Sequence, residues 1–313
     1  MVDSLGGLVV QGRAWAQFHE AQGNNVLWAA GAATGARWCW LGIIRSRRGF
    51  RDLYLPYGPA FDGTANFDEA LTSALDAARS NGIDMVRIEP WGGVDADHLR
   101  SRGAVPTKQI QPQHTWLIDL RQTEEELFKG CNTNRRRDIR TAAKNGLKIW
   151  RTENPDDIGT FISLLGATAE RGHFNVHSDG YYRTLAQTLM PRGAASLYFA
   201  GMDAADPIAG ILGLHTRFAA YYAHAAADQE RSREHNVPGP LAWRMILDAK
   251  RAGCVRYDFW GVTRDDSPDH PWAGLSRFKR GFGGTMHSTA GTWDVPISGA
   301  KYLVYRAARR VAG

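Results

Sequence analysis

The chain has 313 residues, 43% hydrophobic and 22% charged, a composition that supports one large or two medium folded domains with real cores. Its formal net charge of +6 favours anionic partners such as nucleic acid, phosphorylated small molecules or an anionic membrane face. Cys39, Cys131 and Cys254 form no CxxC pair and no metal-ligand spacing, no apolar window reaches a spanning length, and no secretory leader pattern opens the chain, so free thiols in a cytoplasmic protein are expected.

Strand-like and helix-like segments alternate along the chain. Trp38 to Ile44 and Leu53 to Pro56 read as strands. Phe67, Leu71, Ala74, Leu75 and Ala78 fall at helical spacing, which predicts a helix over 67–80 stopped by Asn81-Gly82. Met85 to Ile88 and Thr115 to Leu120 are short strands. Thr123 with Glu126 three residues on is a capping box, so a helix begins there. Asn134 to Asn145 is a further helix ending at Gly146, and it carries Arg135, Arg136, Arg137, Arg140 and Lys144. Helices over 156–171 and 181–189 follow, then strands over 195–201, 208–215 and 219–225. Leu241, Met245, Ile246 and Ala249 share one face of a helix over 240–252, and Val255 to Phe259 is the next strand. The pattern reads as two α/β lobes of similar plan, with a boundary near residue 148.

The chemistry-bearing residues are sparse. Walker, GxGxxG, GxSxG and HExxH motifs are absent, and His173 and His177 flank Phe174-Asn175-Val176, which reads as a loop with no further ligands. Tyr57-Gly58-Pro59 follows a strand, where a turn can offer backbone amides to a ligand. Glu89 stands at the C-terminal end of a strand, either as a surface ion-pair member or as a ligand group. Asp258 lies in an apolar strand end, so it is either structural or lines a cleft. Arg277-Phe278-Lys279-Arg280 precedes Gly281-Phe282-Gly283-Gly284, which sets a lysine between aromatics beside glycines that let a substrate backbone approach.

These residues, in this order, resemble the Fem-type (FemABX) aminoacyltransferases over nearly the whole chain. The resemblance rests on Gln11 and Trp15, Tyr57-Gly58-Pro59, Arg87-Ile88-Glu89-Pro90, Gln111-Pro112 with Thr115, and Ile118-Asp119-Leu120. It continues through Arg136 to Arg140 with Ala143-Lys144, Thr168 to Arg171 with Phe174, Tyr181-Tyr182, Tyr221-Tyr222, Trp243, Tyr257 to Val262, and Phe278-Lys279. It implies an α/β (α+β) fold of two tandem lobes similar to Gcn5-related N-acetyltransferases (GNAT), each a mixed sheet flanked by helices, with a cleft between them. The first lobe would span 1–147 plus about 293–313 and the second 148–292, in a short form without a helical hairpin insertion.

The resemblance also implies a reaction: transfer of an amino acid from aminoacyl-tRNA to an amine of a lipid-linked or UDP-linked muropeptide, in peptidoglycan bridge synthesis. No cofactor or metal is expected, with aminoacyl-tRNA as co-substrate. Lys279, Phe278 and Glu89 take the catalytic positions. Gln17, Tyr57, His177, Tyr181, Tyr222 and Arg171 take acceptor-binding positions. Arg136, Arg140, Lys144 and Lys279 take tRNA-facing ones, although a merely solvated basic helix reads the same way. A lipid-linked acceptor would bring the protein to the membrane surface, and nothing demands an oligomer. Two departures stand out. Gln17 and His177 occupy positions where a short-form relative has a lysine and an arginine gripping the acceptor's diphosphate. They leave open the same chemistry in antibiotic or other natural-product biosynthesis. An acyl-CoA-dependent GNAT activity would want a Q/RxxGxG/A-like loop, which Arg171-Gly172 and Arg251-Ala252-Gly253 do not make.

Overall fold

The computed structural model describes every residue except 1, 3, 4, 34, 35, 48, 173–175, 266, 312 and 313. His173 and Phe174 therefore lie outside the described residues, as does the side chain of Arg171. The chain begins with α1 (Arg13–Ala21), β1 (Val26–Ala33), β2 (Ala36–Arg47), β3 (Phe50–Leu55), β4 (Ala60–Phe61), α2 (Thr64–Ser80), β5 (Met85–Ile88), α3 (Ala96–Ser101) and β6 (Val105–Pro106). It continues through β7 (His114–Asp119), α4 (Glu124–Gly130), α5 (Thr133–Lys144), β8 (Lys148–Thr152), α6 (Ile158–Gly172), α7 (Asp179–Leu189), β9 (Ala195–Gly201), β10 (Ala209–His215) and β11 (Ala219–Ala227). It ends with α8 (Gln229–Glu234), α9 (Pro238–Arg251), β12 (Arg256–Gly261), α10 (Ala273–Arg280), β13 (Thr285–Ser288), β14 (Trp293–Pro296) and α11 (Gly299–Val311).

Contacts divide the chain into residues 1–113 with 288–313, and residues 114–287. The first unit holds a mixed sheet in the order β1-β2-β3-β5-β14-β6, with β4 on β2. Strands β3 and β5 pair in parallel there, from Asp52↔Met85 to Leu55↔Ile88. Helix α2 covers the sheet because Phe67, Ala70, Leu71, Ala74 and Ala78 form one apolar stripe, each at most 1% exposed, against Leu53, Leu55, Val86 and Ile88. Strand β14 comes from the far end of the sequence and pairs with β5, placing Asp294 opposite Arg87. The two side chains form a buried ion pair, Nε to Oδ1 at 2.6 Å and Nη2 to Oδ2 at 2.9 Å.

The second unit has the sheet order β13-β7-β12-β11-β10-β9-β8. Its core packs the apolar face of α9, with Leu241, Ala242, Met245, Ile246 and Ala249, against Ile211, Ala220, Tyr257 and Phe259. The boundary falls between 113 and 114, not near 148, because β7 pairs with β12 through Asp119↔Arg256 and Ile118↔Tyr257. Helix α5 likewise packs on α9, so α4 and α5 belong to the second unit. The return to the first unit comes between 287 and 288, ahead of residue 293.

Local chemistry accounts for several of the elements. Thr123 and Glu126 close their capping box at α4: the Glu126 backbone amide donates to Thr123 Oγ1 at 3.2 Å and the Thr123 amide to Glu126 Oε2 at 2.8 Å. Helix α9 opens on Pro238-Gly239-Pro240, so two of its first residues have no amide to offer. Gly239 leaves room for a neighbouring guanidinium, since a Cβ there would lie 2.5 Å from Arg135 Nη1. All three cysteines are buried and free, and burial pushes the Cys39 and Cys131 thiols up to about 11. Among the described residues, no helix is long and apolar enough to cross a membrane.

Candidate active site

In the second unit the sheet forks. Strands β11 and β12 pair in parallel only from Ala219↔Arg256 to Tyr221↔Asp258, although β11 runs on to Ala227 and β12 to Gly261. Irregularities lie on both sides of the fork. The register of β10 on β11 shifts at Leu212/Gly213, opposite His224 and Tyr222. The register of β12 on β7 shifts between Asp258 and Gly261, and Trp260 sits at φ +62°. The ring of Tyr222 lies 5.5 Å from Phe259 and 6.3 Å from Phe278.

Lys279 reaches this fork from α10. It is 4% exposed, and its Nζ donates to the Gly261 carbonyl at 2.6 Å, where β12 ends. Burial lowers its ammonium from the ordinary lysine range to about 7, against a smaller opposing pull from the Asp258 carboxylate. Asp258 is itself 2% exposed and accepts from the Trp260 amide at 2.7 Å and from the Thr115 hydroxyl. Burial raises this carboxyl, so desolvation drives both groups toward their neutral forms. Asp258 is thus a structural acid that fixes the bend in β12 and biases the lysine electrostatically.

The glycines beside this lysine do a different job from the one expected. Gly283 and Gly284 have φ of +77° and +90°, and Cβ atoms there would lie 2.8 Å from the Gly130 carbonyl oxygen and 2.3 Å from that of Leu117. They admit the protein's own backbone.

Glu89, in the first unit, is a buried carboxylate held by four hydrogen bonds. Its Oε2 accepts from the Tyr54 hydroxyl at 2.5 Å. Its Oε1 accepts from the Thr292 hydroxyl at 2.6 Å, the Gln111 amide at 2.9 Å and the Ile110 amide at 3.3 Å. At 2% exposure and with four donors, it ties β3, β5, the 110–111 loop and the segment before β14 together. The network fixes the orientation of Glu89, and Oε2, with a single donor, keeps acceptor capacity, so separating stability from turnover tests a direct role as base. Glu89→Gln turns one acceptor into a donor facing donors and should cost about 2 kcal/mol of stability. The urea midpoint checks this. Unchanged stability with lost turnover would return Glu89 to a direct role.

Tyr57 is 2% exposed, with its hydroxyl on the Pro112 carbonyl at 2.7 Å, so it supports the 112 loop and does not present itself to an acceptor. The Gly58 amide of the turn is spent internally, donating to the Leu55 carbonyl at 3.2 Å. Gln17 lines a pocket of about 690 Å³ together with Arg13, Glu20, Trp28, Cys39 and Trp40. Tyr222 borders a second-unit cavity of about 160 Å³ beside Pro238 and Leu241.

Tyr181 stacks on His177 at 3.9 Å between ring centroids. A residue the sequence reading passed over, His224, joins them: its ring lies 5.9 Å from His177 and 5.2 Å from Tyr182. Burial lowers both imidazoles, His224 to about 4, so neither carries charge at pH 7. The bulge at Ala223 separates its neighbours: Tyr222 packs on Phe259 and Phe278, and His224 on His177 and Tyr182, a split that the order of residues does not show.

The basic helix divides in two. Arg136 is spent on α4, donating to the Lys129 carbonyl at 3.0 Å and to the Cys131 carbonyl, so it caps a helix and is not a free tRNA contact. Arg140 stands exposed with its guanidinium 5.0 Å over Phe128, and Lys144 is exposed. Among the described residues, no group of three or more His, Cys, Asp or Glu side chains is placed to hold a metal ion.

The sequence model of the FemAB family matches residues 104–206 and 192–310. The chain belongs to the FemAB family. It is 23% identical to a lipid II:glycine glycyltransferase of Staphylococcus haemolyticus, over 46% of this chain and 37% of that protein. To the lipid II:glycine glycyltransferase of Staphylococcus epidermidis it is 21% identical, over 75% of this chain and 74% of that protein. The chain thus spans little more than a third of one curated relative and about three quarters of the other. The crystal structure of FemX superposes with a TM-score of 0.83 at 19% identity, covering 95% of this chain and 94% of FemX, which shows a shared fold. Within the matched FemAB span lie Lys279, Phe278, Tyr222, Tyr181 and His177, while Glu89, Tyr57 and Gln17 fall before it.

Proposed function

We propose that this protein is an aminoacyltransferase that moves an amino acid from aminoacyl-tRNA to the amine of a peptidoglycan precursor, a lipid-linked or UDP-linked muropeptide, during interpeptide bridge synthesis. The observation that carries the reading is Lys279: in a FemAB chain, a buried lysine that titrates near 7 stands at the fork of the second sheet beside Phe278 and Tyr222. The names of the relatives, glycyltransferases of lipid II, support the acceptor class.

In this reaction the acceptor nitrogen attacks the ester carbonyl carbon. A C–N bond forms, the C–O bond to the ribose breaks, and the ribose oxygen leaves with a proton. The ester is already activated, so no cofactor or metal is assigned, and the protein's work is orientation, proton handling and stabilisation of the oxyanion. A lysine near its midpoint at neutral pH exists in both forms. As the amine it takes a proton from the incoming ammonium, and as the ammonium it faces the developing negative charge. The pocket at Gln17, the His177-Tyr181 pair and Tyr222 are the acceptor-binding groups in this reading. Arg140 and Lys144 are the tRNA-facing cations. The reaction belongs in the cytoplasm, with peripheral membrane contact for a lipid-linked acceptor.

A second reading keeps the chemistry and changes the acceptor to a natural-product intermediate. It is favoured by Gln17, His177 and His224, which supply no fixed cation for a diphosphate. Radiolabelled aminoacyl-tRNAs offered with lipid-linked muropeptide, UDP-linked muropeptide and small peptide or nucleoside amines separate the two. Transfer to a muropeptide is expected. Transfer only to the small amines establishes the second reading, and acyl transfer only from acetyl-CoA rejects both.

A further inference from the structure

A pocket of about 510 Å³ in the second unit, bordered by α5 and α10, has a composition that the chemistry at Lys279 does not use. Arg135, Arg277 and Arg280 line it together with Asn132, Asn134 and Phe278, and no carboxylate is among its lining residues. Arg135 is the unusual member. Its side chain is 15% exposed, with its guanidinium 4.7 Å over the Phe278 ring and 5.1 Å from that of Phe282. Its Nη1 reaches Asp138 only at 3.4 Å, and its Nε is buried without a hydrogen-bond partner. Asp138 also faces Arg137 at 3.6 Å, so one carboxylate is shared between two guanidinium groups. Burial lowers Arg135 from its ordinary value, a sign that its partners offset only part of its desolvation.

The rest of the pocket adds to the same charge. Arg277 is exposed on α10. Arg280 donates one nitrogen to the Thr263 carbonyl at 2.7 Å, and its guanidinium lies 5.5 Å from the Trp116 ring. The amide oxygen of Asn132 is occupied by the Arg135 backbone amide at 2.9 Å, which leaves its NH2 as the donor end. Guanidinium groups beside aromatic rings, as at Arg135 and Arg280, match the paired oxygens of a phosphate, and an adjoining ring suits a nucleobase. The cations that face the pocket are side chains of α5 and α10, so side chains supply the charge recognition.

We infer that this pocket seats a phosphodiester of the single-stranded end of the acyl donor's RNA, through Arg135 and Arg277, one residue along α10 from the Phe278-Lys279 pair. The inference rests on the tRNA-dependent reading above and adds the strand's anchoring point to it.

The test measures binding of a short RNA hairpin with a single-stranded 3′ end by fluorescence anisotropy over a range of salt concentrations. The wild-type chain, Arg277→Gln, Gly239→Ala and the control Arg79→Gln are compared. Loss of one phosphate contact lowers the slope of log K against log salt by about 0.7. Arg277→Gln should show this change with roughly tenfold weaker binding. Gly239→Ala, which displaces Arg135 without removing it, should weaken binding while circular dichroism stays native. Arg79→Gln, on α2, should match wild type. Wild-type affinity and slope in both pocket variants would overturn the inference while leaving tRNA dependence intact. A wild-type chain that binds no RNA hairpin and transfers nothing from aminoacyl-tRNA removes the reading beneath it. Displacement of the hairpin by inorganic phosphate alone at equal potency would reduce the pocket to a general anion site and reject the strand claim.

Discussion

Lys279→Met is expected to abolish acyl transfer and, at pH 7, to raise the midpoint of thermal unfolding. The two effects have one cause. In the unfolded chain this lysine titrates near 10.5, and in the folded chain burial brings it to about 7. Between those values the unfolded state holds a proton that the folded state lacks, so stability rises with pH from 7 to 10.5. Below pH 7 the full cost of burying the ammonium applies, on the order of 5 kcal/mol at most. A methionine removes that cost and fills similar volume, but leaves the Gly261 carbonyl without its donor at about 1–3 kcal/mol. The net gain at neutral pH should be about 2 kcal/mol, with roughly 2–4 °C per kcal/mol in a chain of this size. Turnover should fall by roughly 100-fold or more, as expected when the group facing a developing charge is removed. Wild-type turnover should also inflect near pH 7. Calorimetry from pH 7 to 10 decides the matter: a variant less stable than wild type at neutral pH, with the same rise in stability toward pH 10, would mean that Lys279 is buried without penalty.

Asp294→Ala should be the most destabilising single substitution in the first unit, at about 3–5 kcal/mol, because it strands the Arg87 guanidinium inside a sheet. Arg87 is 5% exposed and Asp294 1%. The second oxygen of Asp294 also accepts from the Tyr302 hydroxyl at 3.0 Å, and Arg87 Nη2 donates to the Tyr305 hydroxyl at 3.2 Å. The pair therefore anchors α11 as well as β14. Pairing Arg87→Met with Asp294→Leu should recover much of the loss, since neither partner then remains charged. Urea midpoints of the two singles and the double give the cycle. If the double is no better than the worse single, packing and not the stranded charge explains the effect. Because Glu89 follows directly on β5 and Thr292 directly precedes β14, the single variants should also lower turnover through the Glu89 network.

Elements held by local chemistry were legible from residue order alone. Strand β5 and strand β9 stand where their apolar runs predict, and the Thr123 capping box closes as its spacing requires. What escaped was partnership. Nothing local in His114–Asp119 says that it pairs with a strand beginning at Arg256, so the lobe boundary was set too late. Strand β14 is four residues with a buried acid at its centre, and that acid makes sense only beside Arg87, 207 positions away. The site shows the same division. Lys279 was visible as a lysine set between Phe278 and Phe282 ahead of paired glycines, but its burial depends on the Gly261 carbonyl and on the fork of β11 and β12. Glu89 was legible as a special carboxylate. Its four donors come from three separate stretches of chain, so the network around it is invisible in the order of residues.

The arginine lining of the pocket between α5 and α10 has an evolutionary consequence. A cradle of backbone amides is written into the fold and survives almost any substitution of side chains. Where guanidinium groups line the pocket, each contact they make with an anion is encoded by a codon that can change on its own. Affinity for a charged strand can then be adjusted in small, separable steps, residue by residue, while the helix and the sheet beneath it stay as they are.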